Sequence, residues 1–409
     1  MTSLIRNATD WIEALAEGEI KLHQLPKAFS RDEAAYIRRE ALQRISGKSL
    51  HTIGSYTFDA KPAKCENFIG AIQVPVGVVG PLLVNGQAIT AKEQVFAPLA
   101  TTEGALIASV SRGCSALYAA GGAVVRVEDI GITRAPVFCS SGIVQTQAFL
   151  AWIGDHFEDI KQLCEQGSAH LRLQDIEPAV VGTSIYLRFG FKSADAMGMN
   201  MASIACDRAV TQLISPATGV RCISISGNYC TDKKPALVNF LNGRGKRIHA
   251  EAHLSADILR DILKTDAAAL CELQYRKNLL GSAMAGAIGC NAHHANILAA
   301  FFIATGQDVA QIAESAIGIT CIEAREHGAI YASVLLPDTP LGTVGGGTGL
   351  DTQSEALALM GIEPGNKKPG VNAQCLAEIL GALVLAGELS IMAAQASHQL
   401  VDAHIKLGR

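Results

Sequence analysis

Residues 134–226 read RAPVFCSSGIVQTQAFLAWIGDHFEDIKQLCEQGSAHLRLQDIEPAVVGTSIYLRFGFKSADAMGMNMASIACDRAVTQLISPATGVRCISIS. Residues 135–140 read as a strand and 144–164 as a helix. Two strands follow at 172–180 and 184–191, then a helix at 196–214 and a strand at 221–225. The order β-α-β-β-α-β is that of the ferredoxin-like unit.

On the N-terminal side, the first 50 residues read as helices. Asp10-x-x-Glu13 and Ser30-x-x-Glu33 both have capping-box form. After Ser30, apolar Ala34, Ile37, Ala41, Leu42 and Ile45 recur at helical spacing as far as Gly47. From about 65 to 130, Gly-rich loops alternate with short apolar runs, and Thr101-Thr-Glu-Gly104 before an Ala-rich run places Glu103 at a loop-to-helix junction. On the C-terminal side, residues 281–306 are long enough for one buried helix of about 39 Å at 1.5 Å per residue. Residues 339–349 form a Gly-dense loop, and 372–407 a final helical region.

The 409 residues are 49% apolar and only 18% charged, which suits a large buried core and argues against disorder. Lys plus Arg is 34 against 38 Asp plus Glu, so no basic excess points to nucleic acid or an anionic membrane. The 11 cysteines are odd in number and never spaced C-x-x-C, which fits reduced thiols in a cytoplasm better than a disulfide framework or zinc ribbon. The chain opens without a secretory apolar region, and its unbroken apolar runs fall far short of the ~20 residues that span a bilayer. A soluble cytoplasmic protein is expected.

No G-x-G-x-x-G or Walker-type loop is present, so Gly342-Thr-Val-Gly-Gly-Gly-Thr-Gly349 is either a ligand cradle or a tight turn. Asp232-Lys233-Lys234 at a strand end suits a carboxylate or a developing oxyanion, or is a solvated charged turn. Glu103 and Asp308 lie in apolar sequence, where a buried carboxyl could deliver a proton; a cap or a structural ion pair is the alternative. His293-His294 and His398 lie in Ala-rich helical sequence, a weak pattern for a metal, and none is expected.

Together these segments resemble a known family. Glu66-Asn-Phe-Ile-Gly70, Val74-Pro-Val-Gly77, Ala100-Thr-Thr-Glu-Gly104, Asp195-Ala-Met-Gly-Met-Asn-Met201, Ser226-Gly-Asn-Tyr-Cys-Thr-Asp-Lys-Lys-Pro-Ala236, Gly281-Ser-Ala-Met-Ala-Gly286, Gly306-Gln-Asp308 and Gly342-Thr-Val-Gly-Gly-Gly-Thr348 are similar to the signatures of 3-hydroxy-3-methylglutaryl-CoA reductase, class I form, from about residue 60 to 404. The resemblance implies an α+β fold. A large domain (51–133 and 227–409) would surround a long central helix, with a ferredoxin-like cofactor domain inserted at 134–226 and a small helical domain at 1–50.

It also implies a two-hydride reduction of HMG-CoA to mevalonate and free CoA, within a homo-oligomer whose active site lies between subunits. The same reaction run oxidatively with NAD is the alternative; a non-catalytic CoA-binding protein is another. Lys233 would stabilise the oxyanion, Glu103 would protonate the aldehyde oxygen, Asp308 would lie between them, and His398 would protonate the CoA thiolate. The acyl end would meet Arg134, Ser226, Asp232, Lys234 and Asn296, with Ser109 another contact and Arg112 and Lys277 partners for CoA phosphates. Asp195, Met197, Gly198, Met199 and Asn200 would bind the nicotinamide cofactor at a helix N-terminus, with Val344, Gly345, Gly346 and Gly347 lining it. NADPH is the nominal cofactor. Ala169, where the family carries an Arg against the 2′-phosphate, keeps NADH open. No membrane anchor or phosphorylatable Ser after His398 is expected.

Overall fold

The computed structural model describes residues 7–53, 72–89, 94–363, 365 and 367–397. The Glu66–Gly70 motif and His398 lie outside the described residues. Among the described residues, ten strands form one connected sheet. They are β1 (Val76–Asn85), β2 (Gln94–Ala100), β3 (Ala123–Arg134), β4 (Val137–Cys139), β5 (Arg172–Val181), β6 (Ser184–Lys192), β7 (Arg221–Ser224), β8 (Arg244–Leu254), β9 (Ile319–Ala324) and β10 (Ile330–Thr339).

Strands β4 to β7 lie side by side in the order β7-β4-β6-β5, every neighbouring pair antiparallel. That is the ferredoxin-like arrangement. Its helices are Ile143–Asp155 and Phe157–Glu165, separated at His156, and Met199–Ala209, which widens into a π-helical turn at Val210–Ile214. Phe138, Phe149, Ile160, Phe189, Phe191 and Cys206 fill a core of their own between sheet and helices.

The larger core surrounds the helix Val371–Ala396, about 39 Å long at 1.5 Å per residue. This helix, rather than residues 281–306, is the long central element. The latter stretch is interrupted: Gly286 takes a left-handed φ of +69° after Ser282–Ala285, and the helix restarts only at His294–Thr305. The Val371–Ala396 helix has a mean hydropathy of 1.9 over its most apolar window, enough to cross a membrane, but 94% of that window is buried within the fold. Its small residues let neighbours come close. A Cβ at Gly381 would stand 2.6 Å from Ile248 of β8, and one at Gly113 of the Leu106–Ala119 helix only 1.9 Å from the Ala386 carbonyl oxygen.

Two carboxylates punctuate this apolar helix. Glu378 accepts the backbone N–H groups of Gln87, Ala88 and Ile89, and Glu388 those of Ala292 and His293. Buried charge satisfied by several N–H donors fixes the adjoining loops to the core.

The N-terminal segment holds the helices Ala8–Ala16 and Arg31–Ser46, packed through Ile12, Leu15, Ile37 and Ala41. Ser30 and Glu33 form the expected capping box, and Gly47 closes the second helix. The first box is one turn earlier than expected. Asn7 is the cap and Asp10 its reciprocal partner, because Asn7 adopts the extended conformation a cap needs. No disulfide joins cysteines among the described residues.

Candidate active site

The loop from Ser226 to Ala236 leaves β7 and returns towards β8. Three of its residues other than glycine have left-handed φ: Asn228 at +64°, Thr231 at +55° and Lys233 at +61°. Such conformations persist where neighbours over-determine them. Here the Lys233 Nζ meets Asp308 Oδ2 at 2.8 Å, and the Lys233 backbone N–H donates to Glu314 Oε1 at 2.9 Å. The hydrogen bond with Asp308 raises the Lys233 ammonium above the ordinary lysine value, against the pull of burial. Asp308 also caps the turn Val309–Gln311 by accepting the Ala310 N–H at 3.1 Å.

Asp232 turns inward, where its Oδ1 accepts from Arg244 at 3.1 Å and Gln311 at 2.9 Å. Burial alone would raise this carboxyl. Gln311, Arg244, Arg134 and Lys233 outweigh it and hold Asp232 below the usual carboxylate range. Lys234 is exposed, and its ammonium donates to the Asp232 carbonyl at 3.1 Å. Arg134 at the end of β3 donates to Ser203 and approaches the Cys230 thiol, which also lies 3.8 Å from the Ser226 hydroxyl.

Glu103 precedes the Leu106–Ala119 helix, as expected, but it is exposed rather than buried. Its loop runs over the surface. Its partner is Asn296, whose Nδ2 donates to Glu103 Oε1 at 3.2 Å. Asn296 in turn sits 3.4 Å from His293 Nδ1, and His293 Nε2 lies 3.0 Å from the Gly387 carbonyl of the core helix. Among the described residues, no hydrogen bond or ion pair joins Glu103 to Lys233 or Asp308.

The two expected cofactor segments are brought together. The Asp195 carbonyl accepts the N–H groups of Thr343 and Val344, and Ala196 bridges to Val344. The Asp195 carboxylate caps the core helix through Gly370 and Ala373. A Cβ at Gly342 would stand 2.4 Å from the Met197 nitrogen, whereas Gly345 and Gly346 face open space. Gly198 opens the Met199–Ala209 helix at φ +95°, with Asn200 in its first turn. Gly347 packs backbone to backbone on Gly306, so the glycine-rich loop abuts the segment that carries Asp308.

The remaining candidates fold back on the protein. Ser109 bonds Ser390 at 3.0 Å, and Arg112 grips the same serine through its hydroxyl and carbonyl. Lys277 reaches Asn278 at 3.4 Å, and burial pulls it below the ordinary lysine value. The sequence reading missed Arg244, Glu314 and Asp338. Gly243-Arg-Gly-Lys-Arg247 is basic and glycine-rich, yet Arg244 is fully buried.

The family model for hydroxymethylglutaryl-coenzyme A reductase matches residues 34–409. The 3-hydroxy-3-methylglutaryl-coenzyme A reductase of Pyrococcus abyssi is 46% identical over 409 residues, covering 98% of this chain and 100% of the relative. That of Haloferax volcanii is 45% identical over 405 residues, covering 98% and 100%. A class II 3-hydroxy-3-methylglutaryl-CoA reductase from Streptococcus pneumoniae, solved with NADPH in open conformations, has a TM-score of 0.67 at 19% identity, covering 92% of this chain and 100% of that one. That likeness is one of fold. The motif geometry and the full-length relatives agree, and the chain belongs to the hydroxymethylglutaryl-coenzyme A reductase family of oxidoreductases.

Proposed function

We propose that the protein reduces (S)-3-hydroxy-3-methylglutaryl-CoA to mevalonate and free CoA in two hydride steps. The observation that carries this reading is the Lys233–Asp308 pair, held at 2.8 Å against the glycine-rich loop through Gly306 and Gly347. The residues at 195–200 and 342–347 suit a dinucleotide: open backbone at Gly345 and Gly346, a helix N-terminus at Gly198, and a buried Thr343 hydroxyl without a partner. A nicotinamide cofactor bound there supplies the hydride. Lys233 then holds the charge that develops on the carbonyl oxygen, with Asp308 keeping it cationic. Glu103, oriented by Asn296, hands a proton to the aldehyde oxygen, and His398 protonates the departing thiolate. Arg134, Ser226 and Lys234 take the acyl carboxylate and hydroxyl, while Arg112 and Lys277 meet the CoA phosphates.

NADPH is the nominal cofactor, and one observation favours weighing NADH beside it. That observation is Ala169, which offers no side-chain cation for a 2′-phosphate; the Arg172 guanidinium, which donates to the Ala169 carbonyl at 2.9 Å, is the candidate replacement that would support NADPH. Self-association with a shared site is part of the reading. Met284 is 89% exposed, and Tyr275, Leu279 and Leu280 on the adjoining turns are exposed too, an apolar stripe that suits a subunit interface. A cytoplasmic setting completes the reading; the apolar core helix is 94% buried within the fold over its most apolar window.

The test is stoichiometric. Purified protein given the acyl-CoA should oxidise two reduced nicotinamides per CoA thiol released. Binding of the acyl-CoA without oxidation would leave a non-catalytic CoA-binding protein. Comparing kcat/KM for NADPH and NADH at two salt concentrations decides the cofactor, and Arg172→Ala should reduce any NADPH preference.

A further inference from the structure

We infer that Arg244 and Glu314, neither of which reaches the substrate side, are positioning residues that aim Lys233. Both are fully buried. Glu314 Oε1 accepts from Arg244 Nη1 at 2.7 Å and from the Lys233 backbone N–H at 2.9 Å, so a single carboxylate oxygen ties the guanidinium to the peptide of the lysine. The other arm of Arg244 holds Asp232, the preceding residue, at 3.1 Å, and its Nε donates to Thr133 of β3 at 3.0 Å. A planar guanidinium can grip three acceptors in one plane, which an ammonium cannot.

Glu314 and Asp308 belong to one short segment. Asp308 caps the turn Val309–Gln311, and Glu314 lies in the helical turn Ile312–Ser315 that follows directly. This segment therefore holds Lys233 at both ends, the peptide N–H by Glu314 and the ammonium by Asp308. The span between those carboxylates sets where Nζ points. The left-handed φ of +61° at Lys233 is the conformation this double grip imposes. The charged groups facing Lys233 are Asp308, Asp232 and Glu314. Asn239 steadies Glu314 Oε2 at 3.2 Å, and Arg188 steadies Asn239.

The inference rests on the reading of Lys233 as the cation at the carbonyl oxygen, and the experiment separates the two. Lys233→Met, Glu314→Ala, Glu314→Gln and Arg244→Lys are assayed for reduction of free mevaldehyde, with thermal unfolding alongside. A 1 Å misplacement can cost about 10²-fold, so Glu314→Ala should lower kcat roughly 10- to 100-fold with KM changed little. It should also move the alkaline limb of the kcat profile to lower pH, because Lys233 loses its geometry with Asp308. Glu314→Gln keeps the acceptor oxygen and should restore kcat to within about threefold. Should Glu314→Ala not fold, Arg244→Lys carries the test, since it keeps the charge and loses the fork; it should lower kcat and shift the same limb. Full kcat with an unmoved limb in a folded Glu314→Ala or Arg244→Lys would overturn the inference, as would equal loss in the Gln and Ala variants. If Lys233→Met itself retains turnover, the reading of Lys233 fails first. If Lys233→Met is dead while Glu314→Ala is fully active, only the positioning role falls.

Discussion

Glu314 and Glu388 are both fully buried, each stands behind one side of the candidate site, and the protein holds them in opposite ways. Glu314 lies beside a second carboxyl, Asp338. Burial pushes both up, and the Arg244 guanidinium pulls the other way. Glu388 stands beside His293 and His294. Burial would raise it, but His294, His293, the Thr320 hydroxyl and the Ala292 N–H outweigh that and hold it below the usual carboxylate range. The first glutamate anchors the Lys233 loop. The second anchors residues 292–293, just ahead of Asn296 and so of Glu103. One side of the site is thus set by a carboxylate gripped by a buried guanidinium, and the other by a carboxylate held by two backbone N–H groups and a hydroxyl.

The largest effect expected on this contrast is catalytic. Lys233→Ala should lower kcat by about 10²–10³, worth roughly 3–4 kcal/mol. The unfolding midpoint should stay within about 2 °C, since the side chain is 42% exposed and the anchoring is by its backbone. A variant that unfolds would mean the ammonium is itself part of the anchor.

Acid separates the two sides next. Burial lowers His294 from 6.5 to about 4, so it is neutral when folded and must take up a proton as the pH falls. Its contribution is complete above about 6.5 and is lost between there and about 4, up to roughly 3 kcal/mol. Glu388, held below 4.5, adds loss in the same direction at lower pH. Asp338 and Glu314 have raised values, so the stability they lend falls as pH rises and is greatest in acid. From pH 7 to 4.5, amide exchange at residues 290–296 should therefore accelerate before that at 228–234. Simultaneous acceleration would erase the distinction.

Asn296→Ala is expected to be milder. It removes one donor to a carboxylate at an exposed site, so kcat should fall about tenfold, near 1.4 kcal/mol. Thermal stability should hardly move. The smallest change is Asp338→Asn, which keeps a donor facing Glu314 and removes a buried acid. Urea unfolding at pH 7 should place it within about 1 kcal/mol of the parent chain, on the stable side. A loss above about 3 kcal/mol would mean that Asp338 is ionised and paired with Arg244.

The ferredoxin-like unit was legible because each of its strands and helices carries its own apolar pattern and closes on its own core. The loop bearing Lys233 was legible through its motif, though the charges that fix it were not. Arg244 sits among Gly, Lys and Arg, where local composition signals solvent, and only the approach of Asp232 and Glu314 from distant parts of the chain makes burial possible. The helical reading of residues 372–407 agrees with Val371–Ala396, but the central place of that helix was obscured for a related reason. Glu378 and Glu388 interrupt its apolar run, and their backbone partners lie nearly 300 and about 100 residues away. Residues 281–306 show the converse, a continuous small-residue composition that breaks at Gly286. Glu103 was placed at its helix start correctly, but exposure is decided by which surface a loop crosses.

Strand β3 joins the two halves of the sheet: it pairs with β8 from Val124 to Gly131, then with β6 from Ile132 to Arg134. Side chains along a strand alternate between faces, so one residue inserted or deleted before Gly131 would invert the phase of everything beyond it. Arg134 would turn away from Ser203, and Ile132 would leave the core of the inserted unit. The ferredoxin-like unit thus takes its phase from the β8 side of the sheet. Length changes there should be tolerated in the Val181–Ser184 hairpin turn, at Gly182, and not in the strand that introduces the unit.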